Sequence, residues 1–95
     1  MSIAYVGQSH AKSGEGDKLL EFLLSVVLPA IRSSSGCDSC LMLQSEDDPT
    51  RLIGIEVWTS IEAHRASIKN IPAESIREFM KLVAVPPSGG YYRAL

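Results

Sequence analysis

The sequence of this 95-residue chain lacks several features that would point directly to a function. Basic residues are not in excess, because nine Lys and Arg stand against eleven Asp and Glu, for a formal net charge of −2. Nucleic-acid binders usually carry a basic face, so we expect no binding to DNA or RNA. No apolar run approaches the roughly 20 residues that span a bilayer, and the N-terminus lacks the pattern of a secretory signal. We therefore expect a cytoplasmic protein with no membrane partner.

The chain is also poor in residues that hold metals and cofactors. It has two His, and its two cysteines form the single motif Cys37-Asp38-Ser39-Cys40. A zinc site needs two further ligands, and a redox pair needs a helix N-terminus that lowers a thiol pKa. We expect structural thiols, with a redox or metal role as the alternative. Since no Gly-rich phosphate loop or nucleophile elbow occurs, we expect no cofactor and no metal.

Apolar residues make up 45% of the chain, which is enough for one core, so residues 1–95 are predicted to form a single domain. The patterns predict the order β-α-β-β-α-α-β, with strands at Ile3–His10, Cys37–Gln44, Arg51–Trp58 and residues 91–95. Residues 86–90 are predicted to form a loop. This order favours an α+β ferredoxin-like fold, in which helices cover one face of a four-stranded antiparallel sheet.

Capping residues and prolines define the predicted helices. The first helix is expected to begin near Asp17, as its N-cap or first-turn acid. Pro29 lacks a backbone donor and should kink or end it, with a bend near residues 26–28. The second begins after Thr59 or Ser60, with Glu62 completing a capping box if Thr59 is the cap. A third helix follows Pro72.

The third strand is apolar on both faces, which has a consequence for assembly. Because side chains alternate along a strand, one face carries Leu52, Gly54, Glu56 and Trp58 and the other carries Ile53, Ile55 and Val57. Helices can cover only one face of the sheet, so the second apolar face needs another cover. In a chain this short we expect a second copy, hence a sheet-to-sheet homodimer.

Three segments resemble the antibiotic biosynthesis monooxygenase (ABM) domains. They are KSGEGDKLLEFL at residues 12–23, GCDSCLMLQSEDDPTRLIGIEVWTSIEAH at residues 36–64 and PPSGGYYRAL at residues 86–95. The resemblance implies a dimer of ferredoxin-like subunits whose sheets pack on each other, with a pocket between each sheet and its own helices. ABM-like members include cofactor-free monooxygenases of aromatic polyketides or quinols, haem-degrading enzymes and an isomerase of a signalling sugar phosphate. Family membership alone does not choose among these activities.

The resemblance disfavours haem degradation. Haem-degrading members carry an asparagine where this chain has Gly7, and their iron-ligating histidine falls where this chain has Ile68–Asn70. Neither residue type is present at its place. The cofactor-free chemistry therefore remains the more suitable expectation.

Three residues are the candidate catalytic set: Glu56, Trp58 and His64. The resemblance implies that Trp58 lines the pocket, with plain core packing as the alternative. Glu56 shares its face, and a carboxyl among apolar neighbours must find donors or take up a proton, so it is either a base or half of a structural ion pair. A neutral His64 could accept a proton from a phenol or quinol, and the alternative is a half-exposed surface histidine.

The candidate substrate-binding residues are Tyr5, Arg65, Tyr91 and Tyr92. Side chains of consecutive strand residues point to opposite faces, so at most one of Tyr91 and Tyr92 should face the pocket. The hypothesis is a cofactor-independent monooxygenase of a small aromatic or quinol-like molecule. The alternative is a non-catalytic dimeric small-ligand-binding or stress-related module. The sequence leaves open whether the pocket is empty or filled by Met42, Phe79 or Met80.

Overall fold

The computed structural model describes residues 2–95 and confirms the ferredoxin-like α+β fold. Its four strands form one antiparallel sheet in the order β2-β3-β1-β4. Within the described residues, no helix is both long and apolar enough to cross a membrane. The elements are β1 (Ile3–His10), α1 (Gly16–Phe22), a π-helical turn (Leu23–Val27), α2 (Leu28–Arg32), β2 (Cys37–Gln44), β3 (Arg51–Trp58), α3 (Ile61–Ser67), a 3₁₀ turn (Ile68–Asn70), α4 (Ala73–Leu82) and β4 (Ser88–Arg93).

The first helical segment runs past Pro29, where the sequence predicted a kink or an end. The irregularity is the π-helical turn, which overlaps the predicted bend at residues 26–28, and there the backbone N–H of Leu28 donates to the carbonyl of Leu23. Pro29 then falls in the first turn of α2. Pro29 has no N–H to donate to the preceding turn, and the wider π-helical turn directly before it lets the helical segment continue. The segment therefore continues as helix to Arg32.

Both ends of the last strand differ from the prediction. Strand β4 begins at Ser88 instead of Tyr91 and ends at Arg93, since Gly89 and Gly90 pair with β1. Backbone pairing thus overrides the loop tendency of a Gly-rich segment.

The starts of two helices can be compared with the expected caps. Ser60 caps α3, where its Oγ accepts the N–H of Ala63 at 3.1 Å, so the capping box based on Thr59 does not form. Helix α1 begins at Gly16, with Asp17 in its first turn.

The core lies between the helices and one face of the sheet, in two clusters that flank the middle of the sheet. One cluster contains Ala11, Leu19, Leu23, Leu52 and Val83, and the other contains Leu28, Ile31, Cys40 and Trp58. The opposite face of the sheet exposes large side chains that include Leu41, Leu43, Ile53 and Tyr92. This second face is apolar, as the alternation along β3 predicted.

Candidate active site

A cavity of about 330 Å³ lies between the helix-facing side of the sheet and the helices. Its volume is at the lower end of the range for small-molecule sites, roughly 300–1,000 Å³. Met42, Phe79 and Met80 border this cavity and leave it open. Tyr5, Glu56 and His64 contribute polar groups to a wall that is otherwise mainly apolar. The arrangement suits an apolar ligand with few polar groups.

Glu56 is a buried carboxyl at the wall of this cavity, with 7% of its surface exposed. Its Oε1 accepts a hydrogen bond from the indole N–H of Trp58 at 3.0 Å. Burial raises the pKa of Glu56 because it penalises the charged form, and the bond from Trp58 opposes part of that rise. Neither Arg51, which pairs with Asp48, nor Arg65 pairs with it. Its basic neighbour is a histidine, His64.

His64 is buried beside Glu56, with 6% of its surface exposed. Its Nε2 lies 3.7 Å from Oε1 of Glu56, and its Nδ1 lies 2.7 Å from the hydroxyl of Tyr91. Burial lowers the pKa of His64, and the charge of Arg65 lowers it further. The ring is therefore neutral near pH 7, as a general base requires. The alternative of a half-exposed surface histidine does not hold.

Tyr5 and Tyr91 enclose the imidazole of His64. The ring of Tyr5 stacks on it with 4.1 Å between centroids, and Tyr91 meets it edge-on. Burial raises the pKa of Tyr5, and the nearby Glu56 and Tyr91 add to the rise. Tyr5 borders the cavity, whereas Tyr91 contacts His64 from outside the lining. Arg65 holds its guanidinium 5.9 Å from the Tyr91 ring centre, a cation–π contact.

Besides Arg65 and Tyr91, two more of the predicted site residues do not border the cavity. Trp58 is completely buried in the cluster with Leu28, Ile31 and Cys40. It reaches the site through its bond to Glu56 and through an edge-on contact with the ring of His64, with 5.5 Å between centroids. The structure thus favours core packing for Trp58 over the pocket wall that the resemblance implied. Tyr92 is 61% exposed, and its pairing with Ala4 places it on the opposite face of the sheet.

Three glycines on the helix-facing side escaped the sequence interpretation. Gly7 pairs with Gly54 on one neighbouring strand and with Gly89 on the other, so they form a row across the sheet. Gly7 and Gly54 border the cavity. A signal was present, since glycines inside strands often mark a close approach. Their alignment depends on strand register, which the sequence does not reveal.

The two cysteines lie at the start of β2, where the pairing with β3 shifts by a bulge between Cys37 and Ser39. Both are free, and Cys40 is buried in the core. Burial raises the pKa of Cys40 to about 12, so its thiol is a poor nucleophile near neutral pH. Among residues 2–95 no group of three or more His, Cys, Asp and Glu side chains could hold a metal ion.

The fold and the cavity define a class of protein: a small ferredoxin-like domain with a cavity between its sheet and its helices. The family model described as antibiotic biosynthesis monooxygenase matches residues 2–82. The chain therefore belongs to the antibiotic biosynthesis monooxygenase family, as the resemblance of its segments predicted. A sequence search of curated proteins finds no match.

Solved structures show the same fold at low sequence identity. SnoaB from Streptomyces nogalater, described as a cofactor-independent oxygenase, is 16% identical with a TM-score of 0.81, over 98% of this chain and 92% of that one. Rv0793 from Mycobacterium tuberculosis is 18% identical with a TM-score of 0.83, over 100% and 96%. A conserved protein from Methanosarcina mazei Go1 is 16% identical with a TM-score of 0.85, over 98% and 92%. Identities of this size establish the fold alone.

Proposed function

We propose that the protein is a cofactor-independent monooxygenase that acts on a small aromatic or quinol-like substrate. The observation that carries this proposal is the buried pair of Glu56 and His64 at the wall of a mainly apolar cavity. Membership of the family and the shared fold with an oxygenase of that type support it. Both groups of the pair favour their neutral forms, so His64 is ready to accept a proton.

His64 is the proposed general base, and its neighbours determine which nitrogen is free. When Nδ1–H donates to the Tyr91 hydroxyl, the lone pair of Nε2 faces Glu56 and can take a proton from a phenol or an activated C–H group. The positive charge of the imidazolium then lowers the pKa of Glu56, 3.7 Å away, so that the carboxyl releases its own proton and stabilises the imidazolium as a carboxylate. Trp58 orients that carboxyl through its indole N–H.

Molecular oxygen is the oxidant, and the substrate supplies all the electrons. Removal of a proton gives a stabilised carbanion, which adds O₂ and forms a hydroperoxide. These steps proceed without a cofactor, because the carbanion itself reduces O₂. Loss of a second hydrogen from the same carbon, with cleavage of the O–O bond, leaves a carbonyl and water. A CH₂ group and O₂ thus become C=O and H₂O, so one oxygen atom enters the product.

The remaining site residues have supporting roles in this proposal. Tyr5 borders the cavity and stacks on His64, so it is the residue proposed to contact the substrate beside the base. Tyr91 orients His64, and Arg65 holds Tyr91 by its cation–π contact. Tyr92 has no proposed contact with the substrate, because it lies on the other face of the sheet.

We also propose that two copies pack through their sheets. Leu41, Leu43, Ile53 and Tyr92 expose between 38% and 61% of their surfaces on the face that the helices do not cover. A contiguous exposed apolar face of this kind favours association with another surface. A second copy presents the same apolar face, and two-fold pairing is the commonest form of closed assembly.

Oxygen consumption tests the catalytic role of His64. The purified protein is mixed with a panel of quinols and anthrones, and uptake is followed with an oxygen electrode. We expect His64→Gln to reduce the rate by about 10²–10⁴-fold, the usual contribution of a general base. The matched control is His10→Ala, which removes the other histidine; His10 does not border the cavity, so its rate should equal that of the wild type.

The same experiment separates the proposal from a non-catalytic binding module. Ligand binding by calorimetry without oxygen uptake by the wild type would favour that module. Undiminished uptake by His64→Gln would remove the assignment of the base, even if the protein is an oxygenase.

A further inference from the structure

The floor of the cavity lacks side chains at glycine positions, although the backbone conformation there does not require glycine. Gly54, Gly7 and Gly89 are aligned across three adjacent strands on the helix-facing side. None of the three has a positive φ, because among the described residues only Gly14 and Gly36 do. An L-residue could therefore adopt the same backbone at each of the three positions. The reason for glycine must lie in the space above the sheet.

The space above Gly89 is taken by Tyr5. A Cβ atom added to Gly89 would overlap the phenol oxygen of Tyr5, so this glycine lets Tyr5 lie flat against the sheet. The same ring stacks on His64. Gly89 therefore helps to place one side of the candidate site without bordering the cavity.

The space above Gly54 and Gly7 belongs to the cavity. An added Cβ at Gly54 would meet only the flexible end of Met42, with its Sδ at 3.2 Å, and at Gly7 it would meet the edge of the Tyr5 ring at 3.3 Å. Both contacts are tighter than an ordinary van der Waals contact. Two neighbouring strands thus present bare peptide backbone to the cavity, with Met42 and Tyr5 as walls.

This bare floor has a definite shape. Adjacent strands lie about 5 Å apart, so a ring that lies parallel to the sheet would cover both Gly54 and Gly7. Along the strands, Glu56 and Tyr5 bound one end of the floor, and Leu52 and Ser9 bound the other. A ring seated on Gly54 and Gly7 would have one edge toward Glu56 and His64.

We propose that Gly54 and Gly7 are specificity-determining residues, which select a planar ring that stacks on the exposed backbone of β3 and β1. This rests on the proposed function only insofar as the cavity holds a ring compound. A saturated ring of the same skeleton is thicker and is excluded between the floor and the helices. Substitution by a larger residue fills the layer that the flat ring occupies.

Calorimetric titration tests the proposal with two probes of one carbon skeleton, planar 1-naphthol and saturated decahydro-1-naphthol. We expect the wild type to bind 1-naphthol more tightly. Gly54→Ala should weaken that binding about tenfold or more, the usual effect of one methyl group in a pocket, and Gly54→Val should weaken it further. The thermal midpoint of Gly54→Ala should equal or exceed that of the wild type, because Ala restricts the unfolded chain more than Gly does.

The matched control is Gly90→Ala, on the same sheet but on its other face. Its added Cβ would lie 3.8 Å from the ring of Tyr92, an ordinary contact, and its backbone does not require glycine. We expect Gly90→Ala to bind 1-naphthol as the wild type does. If Gly54 serves folding alone, the thermal midpoint of Gly54→Ala should fall below that of the wild type while the midpoint of Gly90→Ala does not. This result would overturn the proposal.

Other results would overturn the proposal as well. They are wild-type affinity for 1-naphthol in both Gly54 variants, equal affinity of the wild type for the two probes, and no binding of either probe. The two proposals can fail separately. If the wild type prefers 1-naphthol, Gly54→Ala removes that preference and the protein consumes no oxygen, then the role of Gly54 stands and only the monooxygenase proposal is refuted.

Discussion

The hydrogen bond from Trp58 to Glu56 should make the stability of the protein depend on pH in a way that one substitution reveals. Trp58→Phe keeps an aromatic ring in the core but removes the indole N–H that Oε1 of Glu56 accepts at 3.0 Å. Because Trp58 is completely buried, water cannot replace the lost donor without disturbing the core. The carboxyl of Glu56 is left with one partner fewer.

The expected loss of stability has two parts. Removing a donor from a buried polar group costs about 1–3 kcal/mol, and the smaller ring leaves a void in the cluster that costs about 1 kcal/mol more. We therefore expect the free energy of unfolding to fall by about 2–4 kcal/mol near neutral pH, out of a total of about 5–15 kcal/mol for a domain of this size.

The loss should grow as the pH rises. The bond from Trp58 lowers the pKa of Glu56, so it stabilises the carboxylate more than the acid. Without this bond the folded-state pKa of Glu56 lies further above its unfolded value. A group with a raised folded-state pKa loses stability as the pH rises through that pKa. The difference between Trp58→Phe and the wild type should therefore be larger at pH 8 than at pH 5.

Urea unfolding followed by circular dichroism at pH 5 and pH 8 measures both effects, since the variant has no tryptophan to report by fluorescence. Comparing variant and parent at each pH cancels the other titrating groups. The control is the same substitution in a Glu56→Gln background, where the difference should no longer depend on pH. An equal loss at both pH values in the wild-type background, or a loss below about 1 kcal/mol, would refute this reasoning.

Two further predictions concern the histidine and the outer face. Because the pKa of His64 is lowered in the folded state, the folded protein should lose stability as the pH falls below about 6.5. In urea unfolding, His64→Gln should therefore gain stability relative to the wild type between pH 7 and pH 5. The same difference in free energy of unfolding at both pH values would contradict this. Ile53→Lys puts a charge on the exposed apolar face, and sedimentation at micromolar concentration should show a dimer for the wild type and a monomer for the variant; a monomeric wild type would exclude the sheet-to-sheet dimer.

Most of the fold could be predicted from local patterns. The bounds of β1, β2 and β3 agree with the prediction because apolar alternation and turn residues mark them in the chain itself. The start of β4 could not be found in this way, since Ser88 to Gly90 carry no strand pattern and become a strand only by pairing with β1. The π-helical turn before Pro29 likewise depends on how the segment packs.

The candidate site was predicted in composition but not in arrangement. Alternation along β3 puts Glu56 on the helix-facing side, and its proximity in sequence brings His64 near it. The contact between His64 and Tyr91 joins residues 27 positions apart, so it depends on the sheet order. The resemblance implied a pocket-lining Trp58, whereas packing against Leu28 and Ile31 buries it behind Glu56.

The sequence by itself therefore determined which residues face the helices, because side-chain alternation is a local property of a strand. It also determined the apolar character of both sheet faces. Only the tertiary structure decided that Gly54, Gly7 and Gly89 align, that two of them border a cavity and that the hydroxyl of Tyr91 contacts His64. Register and cavity shape arise from contacts between distant segments, and a single residue slip between strands would move every side chain to the other face.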